Sequence, residues 1–338
     1  MSAAPEPILP IPSGTRDVLP DETRELREIT ESLRAVFEGH GYGEIYTPAL
    51  EYEAVLGRAG DHAARPAYRL FDEAGQVLVL RADMTVPIAR VASTRYAQAE
   101  PPLRFCYFAH CYRGVRPQRG QTRELLQAGI ELIGAPAPQG TAEALTVLCH
   151  ALSGCGLEGF RVGLGDASLY AALLSGLGVG NEDGARLLER LVHRDFVGLA
   201  EDVGALALSG ADAEVLLSVP QVRGGPDVLD DLPGPVREAA AGLHSVHALL
   251  DPEVADRLIF DFGLVASFGY YTGAVFEVYD PALGAPLGGG GRYDELLGRF
   301  GRPLPAVGFA LGVDRLHLAL AGEERARAQA AAGGGGAR

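Results

Sequence analysis

Two long strand-like runs, RFCYFAHCYRG (residues 104–114) and TRELLQAGIELIG (122–134), constrain the fold of this chain most strongly. The turn between them is short, so the sequence predicts that they pair as antiparallel neighbours in one sheet. A second hairpin is predicted at RLFDEAGQVLVLRADMT, with a turn at residues 72–75 and a strand at 77–80. Antiparallel strands with helices between them are typical of α+β proteins, and we expect that fold class here.

The stretch from about residue 180 to 250 has a different character. It is rich in Ala, Leu, Asp and Glu at helical spacing and has almost no aromatic residues, which predicts an inserted helical subdomain. We therefore expect a discontinuous core over 8–178 and 256–322 and a helical subdomain over 179–255. The Ala- and Gly-rich tail, residues 323–338, is of low complexity and is predicted to be disordered.

Strand patterns return after the helical stretch, at YYTGAVFEVYD (270–280) and AVGFALG (306–312). The glycine run in GGGGRYDELL (288–297) has neither the spacing of a phosphate-binding P-loop nor a clear strand–turn–helix context. A tight turn between strands is the simpler interpretation of that run. Tyr270 and Tyr271 have no acid or base beside them, which favours a pocket that binds over a site that catalyses.

The formal net charge of −15 argues against a nucleic-acid partner, because such binding depends on Lys and Arg neutralising phosphates. A local cluster of arginines over residues 104–123 is interpreted as a solvated loop. The four cysteines form no CxxC pair, so neither a metal nor a disulfide is expected. The N-terminal residues do not resemble a leader peptide, and no apolar run approaches the ~20 residues that span a bilayer. These features predict a cytoplasmic protein without cofactors or membrane contact.

Seven motifs occur in the order and spacing found in the catalytic domain of histidyl-tRNA synthetases, a class II aminoacyl-tRNA synthetase family. They are PSGTRDVLP, TPALE, LRADMT, CYRGVRPQRGQTRELLQAGIELIG, YYTGAVFE, GGGGRYDELL and GFALGVDRL. The resemblance covers residues 8 to about 320. It implies an antiparallel sheet of six or seven strands flanked by helices, a helical insertion, and a dimer interface that includes residues 47–51.

The resemblance also implies a pocket for an amino acid. Asp83, at the place of a family glutamate, would hold the α-ammonium group together with Thr85 and Gln127. Arg113 would reach the carboxylate of the ligand. Arg315, near the start of a helix, would be a remnant of a phosphate-binding position.

Three further positions match residues that surround the imidazole ring of histidine in that family, namely Glu131, Tyr271 and Tyr293. An imidazole needs a hydrogen-bond donor, an acceptor and an aromatic wall, which a carboxylate and tyrosines supply. Tyr270 is interpreted as a core tyrosine.

Two departures from the synthetase pattern argue against catalysis. Ala266 stands where the family carries an arginine on the reacting groups, and losing one such preorganised charge costs on the order of 100-fold in rate. Val115 replaces a glutamate that contacts adenine. An anticodon-binding domain does not follow GFALGVDRL, so tRNA is not expected as a partner.

The motif LRADMT, where synthetases have LRPEGT, resembles the regulatory-subunit family of ATP phosphoribosyltransferase. That resemblance implies a non-catalytic, histidine-binding dimer that joins a short-form catalytic subunit in a hetero-octamer, activates it, and mediates feedback inhibition by histidine. One alternative is a truncated enzyme that still adenylates histidine, because Arg113 and Arg315 are retained. Another is a synthetase-like paralogue with a different partner or a modification role.

Overall fold

The computed structural model describes residues 11–60, 67–114, 122–230, 232, 234–264 and 270–333, without the side chains of 234, 235, 238, 239 and 333. The helices are α1 Pro20–Gly39, α2 Glu53–Gly57, α3 Thr85–Thr94, α4 Gln139–Gly154, α5 Ala167–Gly176, α6 Asn181–Val192, α7 Phe196–Gly204, α8 Gly210–Ser218, α9 Gly234–His247, α10 Pro252–Ala255 and α11 Val313–Gly333. The strands are β1 Gly43–Glu44, β2 Leu50–Tyr52, β3 Arg69–Phe71, β4 Val77–Leu80, β5 Leu103–Tyr112, β6 Glu124–Ile133, β7 Arg161–Asp166, β8 Arg223–Gly224, β9 Leu258–Asp261, β10 Ala274–Asp280, β11 Leu283–Arg292 and β12 Ala306–Gly312. No helix in the described part of the chain is long and apolar enough to cross a membrane.

A nine-stranded sheet in the order β1-β5-β6-β12-β11-β10-β7-β9-β8 organises the described residues. The long strands β5 and β6 pair antiparallel from Leu103 opposite Ile133 to Tyr112 opposite Glu124, as predicted. Antiparallel pairing continues without interruption from β5 to β7. The outer pairs β1–β5 and β7–β9 are parallel, so the sheet is wider than expected and mixed at its margins. The predicted α+β class is confirmed.

The predicted hairpin at 69–80 forms two strands, β3 and β4, of a second, three-stranded sheet in the order β2-β4-β3, in which β4 is central. Its turn is held by Asp72, whose Oδ1 accepts hydrogen bonds from the N–H groups of Ala74 and Gln76 at 2.9 and 2.8 Å. Gly75 has a φ of +77°, a conformation that glycine adopts without steric cost. The turn chemistry visible in the sequence therefore produces the turn that is observed.

Different helices pack against the two faces of the large sheet. On one face, Cys106 and Ile130 pack into a large apolar core with Leu33 of α1, Leu148 of α4 and Leu316 of α11. The alternate residues of the same strands point the other way, because side chains alternate along a strand. That second face carries a smaller core with α3, and the cavity described below lies there.

The helices α5 to α9 pack against the far end of the sheet. Leu173 of α5 and Leu191 of α6 belong to the same buried core as the central strands. Strand β8, which lies within this helical stretch, adds to the sheet by pairing antiparallel with β9. A shared core joins the helices to the sheet and does not separate them at 178 or 255, so these two domain boundaries remain predictions.

The last helix, α11, runs to Gly333 and therefore includes residues 323–333, which the sequence analysis assigned to a disordered tail. Alanine, glutamate, arginine and glutamine are strong helix formers, and they dominate this stretch. Glu323 also fixes the helix to the rest of the fold, because its carboxylate accepts hydrogen bonds from the N–H groups of Glu158 and Gly159. Residues 334–338 lie outside the described part of the chain.

Candidate functional site

A cavity of about 230 Å³ opens on the second face of the large sheet. Its walls come from the start of α3, from β5, β6, β10, β11 and β12, and from the first turn of α11. The polar or charged residues that line it are Asp83, Thr85, Tyr107, Arg113, Gln127, Tyr270, Tyr271, Glu277 and Arg315. Such a concave space with a few convergent polar groups is the usual form of a small-molecule site.

Glycines of β11 line part of this cavity. The run at 288–291 lies within a strand, so the interpretation as a tight turn is wrong. Gly288, Gly289 and Gly290 line the cavity, and Gly291 lies beneath a tyrosine: a Cβ on Gly291 would lie 2.8 Å from the ring of Tyr271. The run thus leaves space where larger side chains would fill the site.

Hydrogen-bond acceptors form part of the cavity wall. Thr85 donates its hydroxyl hydrogen to Glu131 Oε1 at 2.7 Å, which leaves the oxygen lone pairs of Thr85 for another donor. Gln127 is 8% exposed, and its Oε1 is buried without a hydrogen-bond partner among the described residues. Asp83 also lines this space, and its Oδ1 accepts from the N–H of Val86 at 3.2 Å. A ligand group that donates hydrogen bonds, above all a cation, suits these acceptors.

Glu131 and Tyr293 lie behind the cavity and are not part of its lining. Glu131 is 1% exposed, and the hydroxyl of Tyr293 donates to its Oε2. Burial raises the pKa of Glu131 to about 8, although the hydrogen bonds from Tyr293 and Thr85 act in the opposite direction. Glu131 is therefore mainly protonated near neutral pH. A hydrogen on its Oε2 is then donated to the hydroxyl oxygen of Tyr293, which reverses that hydrogen bond, while Oε1 still accepts from Thr85 and holds it in place.

A Glu131→Gln variant tests this protonation through stability. Between the ordinary pKa of a glutamate and about 8, the folded protein keeps a proton that the unfolded chain releases, so rising pH favours unfolding. We expect the free energy of unfolding of the unmodified protein to fall relative to the variant by about 1 kcal/mol per pH unit between pH 6 and pH 8. Urea unfolding of both proteins at several pH values measures this. Parallel pH profiles would contradict the assignment.

Two arginines also line the cavity. Arg113 follows β5, Arg315 lies in the first turn of α11, and neither forms an ion pair with a described residue. Burial lowers the pKa of the Arg315 guanidinium, the nearby charge of Arg113 lowers it further, and Glu277 raises it. Two guanidinium groups close enough to repel each other favour an anionic group between them.

Tyrosines form another part of the cavity wall. The rings of Tyr270 and Tyr271 have centroids 5.0 Å apart, and Tyr270 meets Tyr293 edge-on at 5.9 Å. Both tyrosines precede β10, which begins at Ala274, so the prediction of a strand from residue 270 is wrong at its start. Tyr270 is 5% exposed, as expected for a core tyrosine, and it also lines the cavity.

Six of the eight residues selected from the sequence line this cavity, namely Asp83, Thr85, Arg113, Gln127, Tyr271 and Arg315. Sequence reasoning missed Glu277 and Tyr107, which line it too. The alternation of side chains along their strands does not by itself distinguish a cavity wall from a packed face of the sheet. Ala266 and Val115 lie outside the described residues. In the described part of the chain, no group of three His, Cys, Asp or Glu side chains is arranged to hold a metal.

Comparison with known proteins agrees with these features. A family model described as histidyl-tRNA synthetase matches residues 14–316. The chain is 43% identical to the ATP phosphoribosyltransferase regulatory subunit of Symbiobacterium thermophilum, over 91% of this chain and 79% of that protein. It is 37% identical to the protein of the same name from Desulforamulus reducens, over 91% and 78% of the two chains.

A solved structure from Bacillus halodurans, described as an ATP phosphoribosyltransferase regulatory subunit/histidyl-tRNA synthetase, has the same fold. Its TM-score with this chain is 0.86 at 34% sequence identity, and the match covers 93% of this chain and 84% of the other. Fold and sequence similarity therefore extend over nearly the whole of the described core.

Proposed function

The chain belongs to the family of ATP phosphoribosyltransferase regulatory subunits, which has a histidyl-tRNA synthetase-like fold, and we propose that it binds L-histidine in the cavity. The relatives are named as regulatory subunits, so the chain is a non-catalytic member of an enzyme complex. The observation that carries the ligand proposal is the buried, unpaired Oε1 of Gln127 in a cavity that both carboxylate and guanidinium groups line. An unpaired buried acceptor is costly unless a ligand supplies a donor.

A zwitterionic amino acid matches this distribution of charge. Its α-ammonium group would meet Asp83, Thr85 and Gln127, and its carboxylate would meet Arg113 and Arg315. Tyr271 would lie against the imidazole ring. Glu131 and Tyr293 would not contact the ligand directly. Glu131 would act through Thr85, whose hydroxyl group it holds, and Tyr293 is hydrogen-bonded to Glu131.

The regulatory role then follows from differential binding. We expect the chain to activate a short-form catalytic subunit by stabilising its competent arrangement, and histidine to shift the complex toward an inhibited one. A ligand changes such an equilibrium only when it binds the two states unequally, and ~1 to 3 kcal/mol of coupling gives a 5- to 150-fold effect. This would be feedback inhibition of histidine biosynthesis in the cytoplasm, within a hetero-octamer that contains dimers of this chain.

Exposed apolar residues support self-association of this chain. Leu50, Tyr52 and Leu70 are 43%, 47% and 44% exposed, and the register of β2, β4 and β3 places them on one face of the small sheet. This region includes the residues 47–51 from which the resemblance implied a dimer interface. Such a patch of large apolar side chains on one surface is typical of a protein–protein contact.

Adenylation of histidine is the second candidate, and the position of Arg113 and Arg315 in the cavity favours it. The two arginines would hold ATP phosphates in such an enzyme. The substitutions at Ala266 and Val115 argue against it on sequence grounds, and tRNA binding is not part of either proposal.

Calorimetric titration of the purified chain with L-histidine tests the ligand proposal. We expect saturable binding, and at least tenfold weaker binding of L-histidinol, which lacks the carboxylate, and of imidazole propionate, which lacks the ammonium group. Equal binding of all three compounds would contradict recognition of both charges. Histidine-dependent pyrophosphate exchange with ATP would instead favour the adenylating enzyme, and histidine-sensitive activation of an added short catalytic subunit would support the regulatory role.

A further inference from the structure

The turn between α6 and α7 places an arginine where the backbone favours glycine. The N–H of Arg194 donates to Leu191 O and the N–H of Asp195 donates to Arg190 O, both at 2.9 Å. These two bonds define the helix-ending motif whose penultimate position is left-handed and usually glycine. Arg194 has a φ of 54° and is the one non-glycine residue with positive φ in the described part of the chain.

The same chain uses glycine at the equivalent position elsewhere. Gly41, Gly156 and Gly178 follow α1, α4 and α5 with φ values of 81°, 91° and 70°. A Cβ in this conformation is crowded by the following carbonyl, so an arginine there carries a steric cost that glycine does not. A contact made by the side chain of Arg194 is therefore a candidate reason for this exception.

The guanidinium of Arg194 reaches the outer side of the cavity wall. Its Nη2 donates to the hydroxyl of Tyr279 at 3.2 Å and lies 3.6 Å from Oε2 of Glu277. The hydroxyl of Tyr279 in turn donates to the same Oε2. Glu277 lines the cavity and also interacts electrostatically with Arg315. One carboxylate thus lies between an arginine of the helical segment and an arginine of the cavity.

We infer that Arg194 is a positioning residue for Glu277, and that it carries the state of the cavity to helices α6 and α7. The inference rests on the proposed function. A ligand carboxylate bound to Arg113 and Arg315 repels the carboxylate of Glu277 and competes with it for Arg315. Glu277 then interacts more strongly with Arg194, and the helical segment becomes more firmly held against β10.

Hydrogen exchange with and without saturating L-histidine tests this link. In the unmodified protein, we expect the ligand to slow exchange across Asn181–Gly204 by about fivefold, the low end of typical couplings between sites. An Arg194→Gly variant suits the backbone of the turn and should fold. It should still bind L-histidine, at most about fivefold more weakly by reciprocity, but should lose the slowing.

Two further variants distinguish coupling to the cavity from a general loss of stability in helices α6 and α7. Arg186 pairs with Asp183 and Asp202 and has no contact with Glu277, so Arg186→Ala should raise exchange in α6 yet keep the ligand-dependent slowing. Arg194→Lys keeps a positive charge near Glu277 and should retain part of the ligand-dependent slowing of exchange. Unchanged slowing in Arg194→Gly, with binding intact, overturns this inference alone. Absence of L-histidine binding by the unmodified protein overturns the proposed function, and the ligand-driven step with it.

Discussion

Replacing Asp83 by asparagine should weaken the binding of L-histidine by about 10- to 100-fold while leaving the fold intact. Hydrogen bonds between ionised groups contribute about 1.5 to 3 kcal/mol, and the variant removes the negative charge that we propose faces the α-ammonium group. Asparagine keeps the Oδ1 that accepts from the N–H of Val86 at the start of α3, so the local structure is retained. Calorimetric titration gives the affinity, and thermal unfolding verifies the fold.

Asp72→Asn is a matched control for this experiment. Asp72 also accepts backbone hydrogen bonds through Oδ1, but it does so in the exposed turn between β3 and β4. We expect its replacement to leave the affinity for L-histidine unchanged. If Asp83→Asn binds as tightly as the unmodified protein, Asp83 does not hold the ammonium group, and the proposed orientation of the ligand is wrong.

Adding a single methyl group at Gly290 should destabilise the protein by about 3 kcal/mol, the upper end of the usual cost of overpacking. A Cβ there would lie 2.1 Å from the carbonyl oxygen of Gly308 and 2.7 Å from the Cβ of Phe309. The nearest of these atoms belongs to the backbone of the adjacent strand β12, which cannot rotate away, so strands β11 and β12 must separate. Urea unfolding of Gly290→Ala measures the loss.

Gly284→Ala provides the control on the same strand. No atom lies within 4 Å of a Cβ at Gly284, and this glycine is exposed. We expect its replacement to be neutral or to stabilise by up to about 1 kcal/mol, because alanine restricts the unfolded chain. Equal effects of the two substitutions would show that the glycine run is not required for close strand approach at the cavity.

The sequence predicted local features well where the chemistry is local. Asp72 and Gly75 form the turn that their residue types favour, and the strand-like runs at 104–114 and 122–134 form the paired strands β5 and β6. Prediction from the sequence failed where one local pattern is compatible with two different structures. The glycines at 288–291 have the composition of a turn, yet neighbouring strands on both sides hold them extended in β11.

The residue types of the cavity were also visible in the sequence through the family resemblance, but their roles were not. Glu131 and Gln127 are four residues apart on the same strand, so spacing places both on one face. Only packing decides that Gln127 lines the cavity while Glu131 lies beneath Thr85. The displaced pKa of Glu131 follows from that burial and has no signature in the sequence.

By itself, then, the sequence determined the fold class, the family and most of the polar residues around the cavity, because periodicity, turn chemistry and ordered motifs are properties of short segments. The tertiary structure alone decided which of these side chains face the cavity and which act from behind. It also brought together Arg194 and Tyr279, which are 85 residues apart, and Tyr293 and Glu131, which are 162 apart. Contacts over such separations depend on how strands and helices pack, and no local pattern specifies them.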